Sequence, residues 1–194
     1  MRLSLRSIRA VAFGSAMLAS TLSAQTPAAP AQTPLEVGAV APDFELPAAT
    51  RYGVLAEPIK LSDFAGKTVV LAFFPRARTQ GCTIQMRAYR DQYSELFRGG
   101  QDVVLIPISM DAAEDLASWA SDEQFPFVMA SDVGGTVATQ FGASRGRVAS
   151  RFLYVIGPDG KIAHTQIPFQ EVDPTAYEQL SAALDRVVEV ASRE

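Results

Sequence analysis

Residues 68–83 decide the fold: Thr68-Val69-Val70-Leu71-Ala72-Phe73-Phe74-Pro75-Arg76-Ala77-Arg78-Thr79-Gln80-Gly81-Cys82-Thr83. Thr68 to Phe74 is a β-branched and aromatic run without polar alternation, the mark of a strand buried on both faces. From Cys82 to Phe97 the period changes. Met86, Tyr89, Tyr93 and Leu96 recur at helical spacing, and Gly99-Gly100 stops the helix. A buried strand leading through a short loop into a helix is part of an α/β layered fold, and reaction sites favour that junction.

The same alternation extends outward. Asp102 to Ser109 reads as a second buried strand, Ala112 to Glu123 as a helix, and Phe127 to Ala130 as a short strand. Val133 to Phe141 reads as a short helix closed by Gly142. Arg151 to Ile156 and Lys161 to Pro168 read as strands on either side of the turn Gly157-Pro158-Asp159-Gly160, and Pro174 to Ala191 as a closing helix. No internal repeat appears.

The first 24 residues follow a different logic. Arg2, Arg6 and Arg9 make a positive n-region, Ala10 to Leu22 a small-residue apolar segment, and Leu22-Ser23-Ala24 a cleavage site. The apolar run is too short and too rich in Ala and Ser for a comfortable membrane anchor. No cysteine follows it, as a lipoprotein signal would need, and the arginines are not adjacent, as a twin-arginine signal would need. Cleavage after Ala24 removes three arginines and takes the formal charge from −4 to −7. Gln25 to Pro34 is a Pro/Ala/Gln tether without a core pattern, expected to be disordered. The chain thus divides into a signal peptide (1–24), a linker (25–34) and one folded domain (35–194), exported to the periplasm or secreted, with no stable membrane insertion once the signal is removed.

With 194 residues, 48% hydrophobic and 20% charged, the chain is long enough for one soluble domain with a core. The acidic balance and the lack of a basic stripe exclude nucleic acid as a partner. One cysteine excludes an internal disulfide and cysteine-cluster metal sites, and the single histidine, His164, leaves little for zinc. No phosphate-binding or dinucleotide fingerprint occurs, so neither metal nor cofactor is expected. Gly142-Ala143-Ser144-Arg145-Gly146 matches a hydrolase elbow by chance, since it follows a helix where the elbow requires a strand. His164 reads as a surface or strand-end residue, and the scattered acidic residues as solvated faces.

A lone cysteine is ordinarily a buried structural thiol. Cys82 has a better position, in the first turn of a helix after a sheet strand, where backbone N–H groups and the dipole favour an anion. A thiolate is such an anion and is the nucleophilic form. The dipole supplies about 0.3–1 kcal/mol, under roughly one pKa unit, so the helix alone leaves a thiol mostly protonated at neutral pH. A cation nearby adds roughly 1–3 units. Arg76, Arg78, Arg87, Arg90 and Arg151 are the candidates, and spacing does not choose among them. Thr79 reads as the helix N-cap.

At these residues the sequence resembles the peroxiredoxins, in particular the bacterioferritin-comigratory (Q-type) group. Pro75, Thr79 and Cys82 meet the family motif Pro-x-x-x-Thr-x-x-Cys, and Gly81, Thr83 and Gln85 match the Q-type surroundings. The likeness runs from about Val37 to His164. It includes Ala41-Pro42-Asp43-Phe44, Leu61-Ser62-Asp63-Phe64 with Gly66-Lys67, Ser109 with Asp111, and Phe125-Pro126-Phe127 with Ser131-Asp132. The resemblance implies a thioredoxin-like α/β fold with a central mixed sheet flanked by helices. It implies a thiol-dependent peroxidase acting on hydrogen peroxide and organic hydroperoxides. Cys82 would be the attacking thiolate, with Thr79 positioning it and the peroxide, Arg151 stabilising the developing charge and Pro75 shielding the sulfur. Gln80 replaces a commonly found proline. Many members carry a resolving cysteine five residues after the first, where this chain has Arg87. An external thiol must then complete the cycle: a thioredoxin-like protein, a glutaredoxin or a small thiol. Members occur as monomers and as homodimers. The absent second cysteine also motivates a redox sensor or binding protein with little turnover, and the absent Cys-x-x-Cys argues against a disulfide reductase.

Overall fold

The computed structural model describes residues 33–191, so the expected signal peptide (1–24) and most of the expected linker (25–34) lie outside the described residues. The backbone of Thr33 and Pro34 rests directly against Gly142.

In chain order the elements are β1 (Glu45–Leu46), β2 (Ala48–Thr50), β3 (Gly53–Val54), β4 (Ile59–Lys60), β5 (Thr68–Phe73), α1 (Gln80–Asp91), α2 (Tyr93–Leu96), β6 (Val103–Ser109), α3 (Ala113–Glu123), β7 (Met129–Ser131), α4 (Thr136–Gln140), β8 (Ser144–Arg145), β9 (Val148–Ala149), β10 (Leu153–Ile156), β11 (Ile162–Gln166) and α5 (Pro174–Ala191). Seven strands form the central sheet in the order β11-β10-β5-β6-β7-β2-β3. Strands β5, β6 and β7 are parallel, whereas β10 runs antiparallel to both β5 and β11, and β2 antiparallel to both β7 and β3. The sheet is mixed, as expected.

Strand β5 is buried along its whole length because both faces are covered. Val70, Ala72 and Phe74 pack with Cys82, Met86, Tyr89, Trp119, Phe125 and Leu180 on the face of α1, α3 and α5. Val69, Leu71 and Phe73 pack with Ile106, Ile108, Val137, Phe141 and Tyr154 on the other. The period of two in a strand sends alternate side chains to these two cores.

Several boundaries differ from the sequence expectations. The helix expected over 82–97 starts at Gln80 and breaks at Gln92, whose φ of −104° and ψ of 13° leave the helical range before α2 resumes. Arg151 and Phe152 precede β10 instead of belonging to it, because the N–H of Phe152 turns back to the Ser150 carbonyl at 3.0 Å. His164 lies in mid-strand, paired with Val155 and half-buried, and burial pushes its pKa down. Ser144 sits in the β8–β9 hairpin, which is no strand-to-helix elbow. Strands β1 to β4 and the β8–β9 pair carry no periodic signal, being two or three residues each.

Helix α1 is braced against α3. Arg87 binds Glu123 with two hydrogen bonds of 2.7 Å, and Nη1 of Arg90 donates to the Glu123 carbonyl at 2.8 Å. The Arg87 hydrogen bond, above all, holds the Glu123 carboxyl below the usual range.

Candidate active site

The N–H of Phe74 still reaches the Ile108 carbonyl at 3.0 Å, and Pro75, which lacks an N–H, then ends the ladder. The following bend is fixed by its neighbours. The N–H of Ala77 and the hydroxyl of Ser109 both donate to Asp111 Oδ2 at 2.8 Å. Arg78 takes a left-handed φ of 62°, which costs a non-glycine residue roughly 1–2 kcal/mol. Its guanidinium is anchored on α3, 2.9 Å from Ser118 Oγ and 2.6 Å from Asp122 Oδ2.

Thr79 occupies the N-cap position with an extended backbone, but its hydroxyl does not cap the helix. It donates instead to the Arg76 carbonyl at 2.9 Å, which the tight bend brings beneath it. The first intrahelical bond runs from Thr83 N–H to Thr79 O, so Cys82 lies in the first turn, ahead of the ladder. Its side chain is wholly buried.

Among the five candidate arginines, Arg151 meets the sulfur. Arg78, Arg87 and Arg90 are committed to acceptors on α3, and Arg76 is exposed. The Arg151 carbonyl accepts from Phe169 N–H at 2.8 Å, fixing its backbone. Its guanidinium is held on three sides. Nη2 lies 3.6 Å from Cys82 Sγ, Nη1 donates to Gln85 Oε1, and Nε faces Glu171 Oε2 at 3.1 Å. Gln85 is itself fixed, its Nε2 donating to the Tyr89 hydroxyl at 2.9 Å. Burial raises the Tyr89 phenol well above its ordinary range and pushes that of Tyr177 up to about 12, so both stay neutral. Pro75, at the head of the bend, is half-buried.

Two residues of this arrangement escape sequence reasoning. Gln85 appears there only as part of a resemblance, without a partner. Glu171 appears among acidic residues read as solvated, whereas its side chain is only 21% exposed and paired with Arg151. Asp132 departs from the same expectation. It is buried and accepts from the N–H groups of Val137 and Ala138 at 3.2 and 2.7 Å. Nothing in the irregular stretch around Glu171 signals its position.

Gly81 leaves room for these neighbours. A Cβ there would stand 2.4 Å from Glu171 Oε1 and 3.1 Å from Arg151 Nη2. Both are ends of flexible side chains, and alanine favours a helix by about 1 kcal/mol over glycine. Gly81→Ala should therefore keep or raise the melting temperature while displacing both charged groups. Alkylation of Cys82 by iodoacetamide at neutral pH should slow roughly threefold to tenfold.

Known proteins share this fold. The model of the AhpC/TSA family matches residues 37–165. Peroxiredoxin Bcp of Escherichia coli (strain K12) is 37% identical over 139 residues, covering 68% of this chain and 85% of that protein. The chloroplastic peroxiredoxin Q of Sedum lineare is 36% identical over 108 residues, covering 54% of this chain and 57% of that protein. Among solved structures, peroxidoxin BcpB from Mycobacterium tuberculosis superposes with a TM-score of 0.68 at 29% identity, over 79% of this chain and 98% of that one. On this fold, this site and this extent of identity, the chain belongs to the AhpC/TSA family, in its bacterioferritin-comigratory (Q-type) group, and is a thiol-dependent peroxidase.

Proposed function

We infer that Cys82 is the residue that reduces peroxide and that an outside thiol restores it. The observation that carries this reading is Arg151 Nη2 at 3.6 Å from a buried sulfur in the first turn of α1. A guanidinium and a helix N-terminus both favour the thiolate, the nucleophilic form.

In the reaction, the Cys82 thiolate attacks the terminal oxygen of hydrogen peroxide or an organic hydroperoxide, and the O–O bond breaks. The leaving oxygen takes the electron pair and then a proton, giving water or an alcohol, while the sulfur is oxidised to a sulfenic acid. Arg151 stabilises the charge on both the attacking and leaving atoms. By family resemblance, Thr79 positions the reactants and Pro75 keeps water from the sulfur. The Thr79 hydroxyl retains lone pairs after donating to Arg76. Cys82 is the sole cysteine of the chain. A first donor thiol therefore expels water and forms a mixed disulfide. A second releases Cys82 and leaves the donor oxidised. A thioredoxin-like protein, a glutaredoxin or a small thiol fits this role.

Residues 1–24 act as an export signal in this reading, supported by Arg2, Arg6 and Arg9 before the apolar run and by Leu22-Ser23-Ala24. The enzyme then works in the periplasm or outside the cell. No helix among the described residues is long and apolar enough to cross a membrane.

Hydrogen peroxide consumption with and without excess dithiothreitol tests the cycle. With the dithiol, turnover should continue until peroxide is gone. Without it, consumption should stop near one equivalent per chain. Arrest at one equivalent with every thiol donor would favour a redox sensor, and no consumption at all would defeat the reading.

A further inference from the structure

Glu171 lies beyond residues 37–165, which match the family model, yet it reaches the centre of the site. Its segment is tied there twice: Phe169 N–H donates to the Arg151 carbonyl, and the Tyr177 hydroxyl donates to the Glu171 carbonyl at 2.9 Å. Its carboxylate meets Arg151 Nε through Oε2, and Oε1 fills the space over the Cα of Gly81. The guanidinium is thus gripped at Nε by Glu171 and at Nη1 by Gln85, leaving Nη2 toward the sulfur. A planar group held by two acceptors on separate edges cannot rotate away without breaking one of them.

We propose that Glu171 is a positioning residue of the peroxide-reducing centre, which aims Arg151 at Cys82 and whose negative charge tempers the pull of the guanidinium on the thiolate. The proposal rests on the peroxidase reading of Cys82. Two effects of opposite sign follow from one carboxylate. Geometry favours the reaction, because an arginine out of line no longer meets the developing charge. Charge opposes thiolate formation, because an anion beside the cation lowers the potential at the sulfur. The ionisable groups facing this centre are Arg151, Glu171, Tyr89 and Tyr177, with Asp111 beyond the Pro75–Ala77 bend. The two phenols are held neutral by burial, so Arg151 and Glu171 dominate the local field.

Glu171→Gln keeps an acceptor for Nε and removes the charge, whereas Glu171→Ala removes both. The full chain and each variant would be compared in single-turnover reaction with hydrogen peroxide and in iodoacetamide alkylation across pH. Glu171→Ala should lose roughly tenfold to a hundredfold in peroxide rate at pH 7. Glu171→Gln should keep most of that rate and move the alkylation midpoint to lower pH by roughly one unit. Should Glu171→Ala prove unstable, the Glu171→Gln profile decides alone. An unshifted midpoint overturns the proposal, as does a wild-type peroxide rate in a folded Glu171→Ala. Failure of the underlying reading is distinct, because wild-type protein would then leave peroxide untouched.

Discussion

Replacing Cys82 with serine should bring peroxide consumption down to that of buffer and added thiol alone, a loss of no less than about 10³-fold. The sulfur is both nucleophile and electron donor, and no other cysteine exists to take its place. A hydroxyl is far harder to ionise and does not yield two electrons to peroxide. The fold should survive. Serine is close to cysteine in volume, and Arg151 Nη2 remains a donor for the buried oxygen. Thermal melting of the variant beside wild type checks that point, and an oxygen electrode or peroxide assay with excess dithiothreitol checks the activity. Full activity in Cys82→Ser would remove the basis of the assignment.

Arg151→Met should lower the second-order rate with hydrogen peroxide by about 10²–10³-fold, the usual loss for one preorganised donor at a developing charge. Methionine retains much of the apolar stem and removes the cation. Three contacts disappear together: Nη2 to the sulfur, Nη1 to Gln85 and Nε to Glu171. The change also leaves the mostly buried Glu171 carboxylate without its counter-charge, which repels an anion at Cys82. Arg151→Lys restores a point charge without the planar fork and should recover only part of the loss. Stopped-flow reaction of the reduced protein with peroxide separates the three. A wild-type rate in Arg151→Met would show that another group stabilises the reacting oxygens.

How far the residues themselves disclose this design depends on their distance in sequence. Strands β5 and β6 are readable because continuous apolar runs have one stable use, a strand covered on both sides. Helix α5 is readable to both ends, Pro174 and Ala191, because its period persists for five turns. Strands β1 to β4 are not, since two or three residues are too few to show a period, and β2 is placed by its pairing with the distant β7. The site divides in the same way. Cys82 and Thr79 stand out from local context. Arg151 is legible only through resemblance, since 69 residues separate it from Cys82. Glu171 is legible from neither, because a charge in an irregular loop gains its role only when the hairpin β10–β11 carries the chain back over α1.

The brace between α1 and α3 has a consequence for the life of the oxidised enzyme. Residues five apart in a helix are separated by about 7.5 Å along the axis, beyond the usual span of a disulfide. A cysteine at position 87 could therefore reach Cys82 only if the helix came apart. This chain has instead made Arg87 a rivet, sharing Glu123 with Arg90. The sulfenic acid is consequently held where it was born, on a side chain with no exposed surface. Its fate becomes a race between the incoming reductant and a second peroxide, which would drive the sulfur on to the sulfinic acid. The supply of thiol around the enzyme then sets how many cycles each molecule survives.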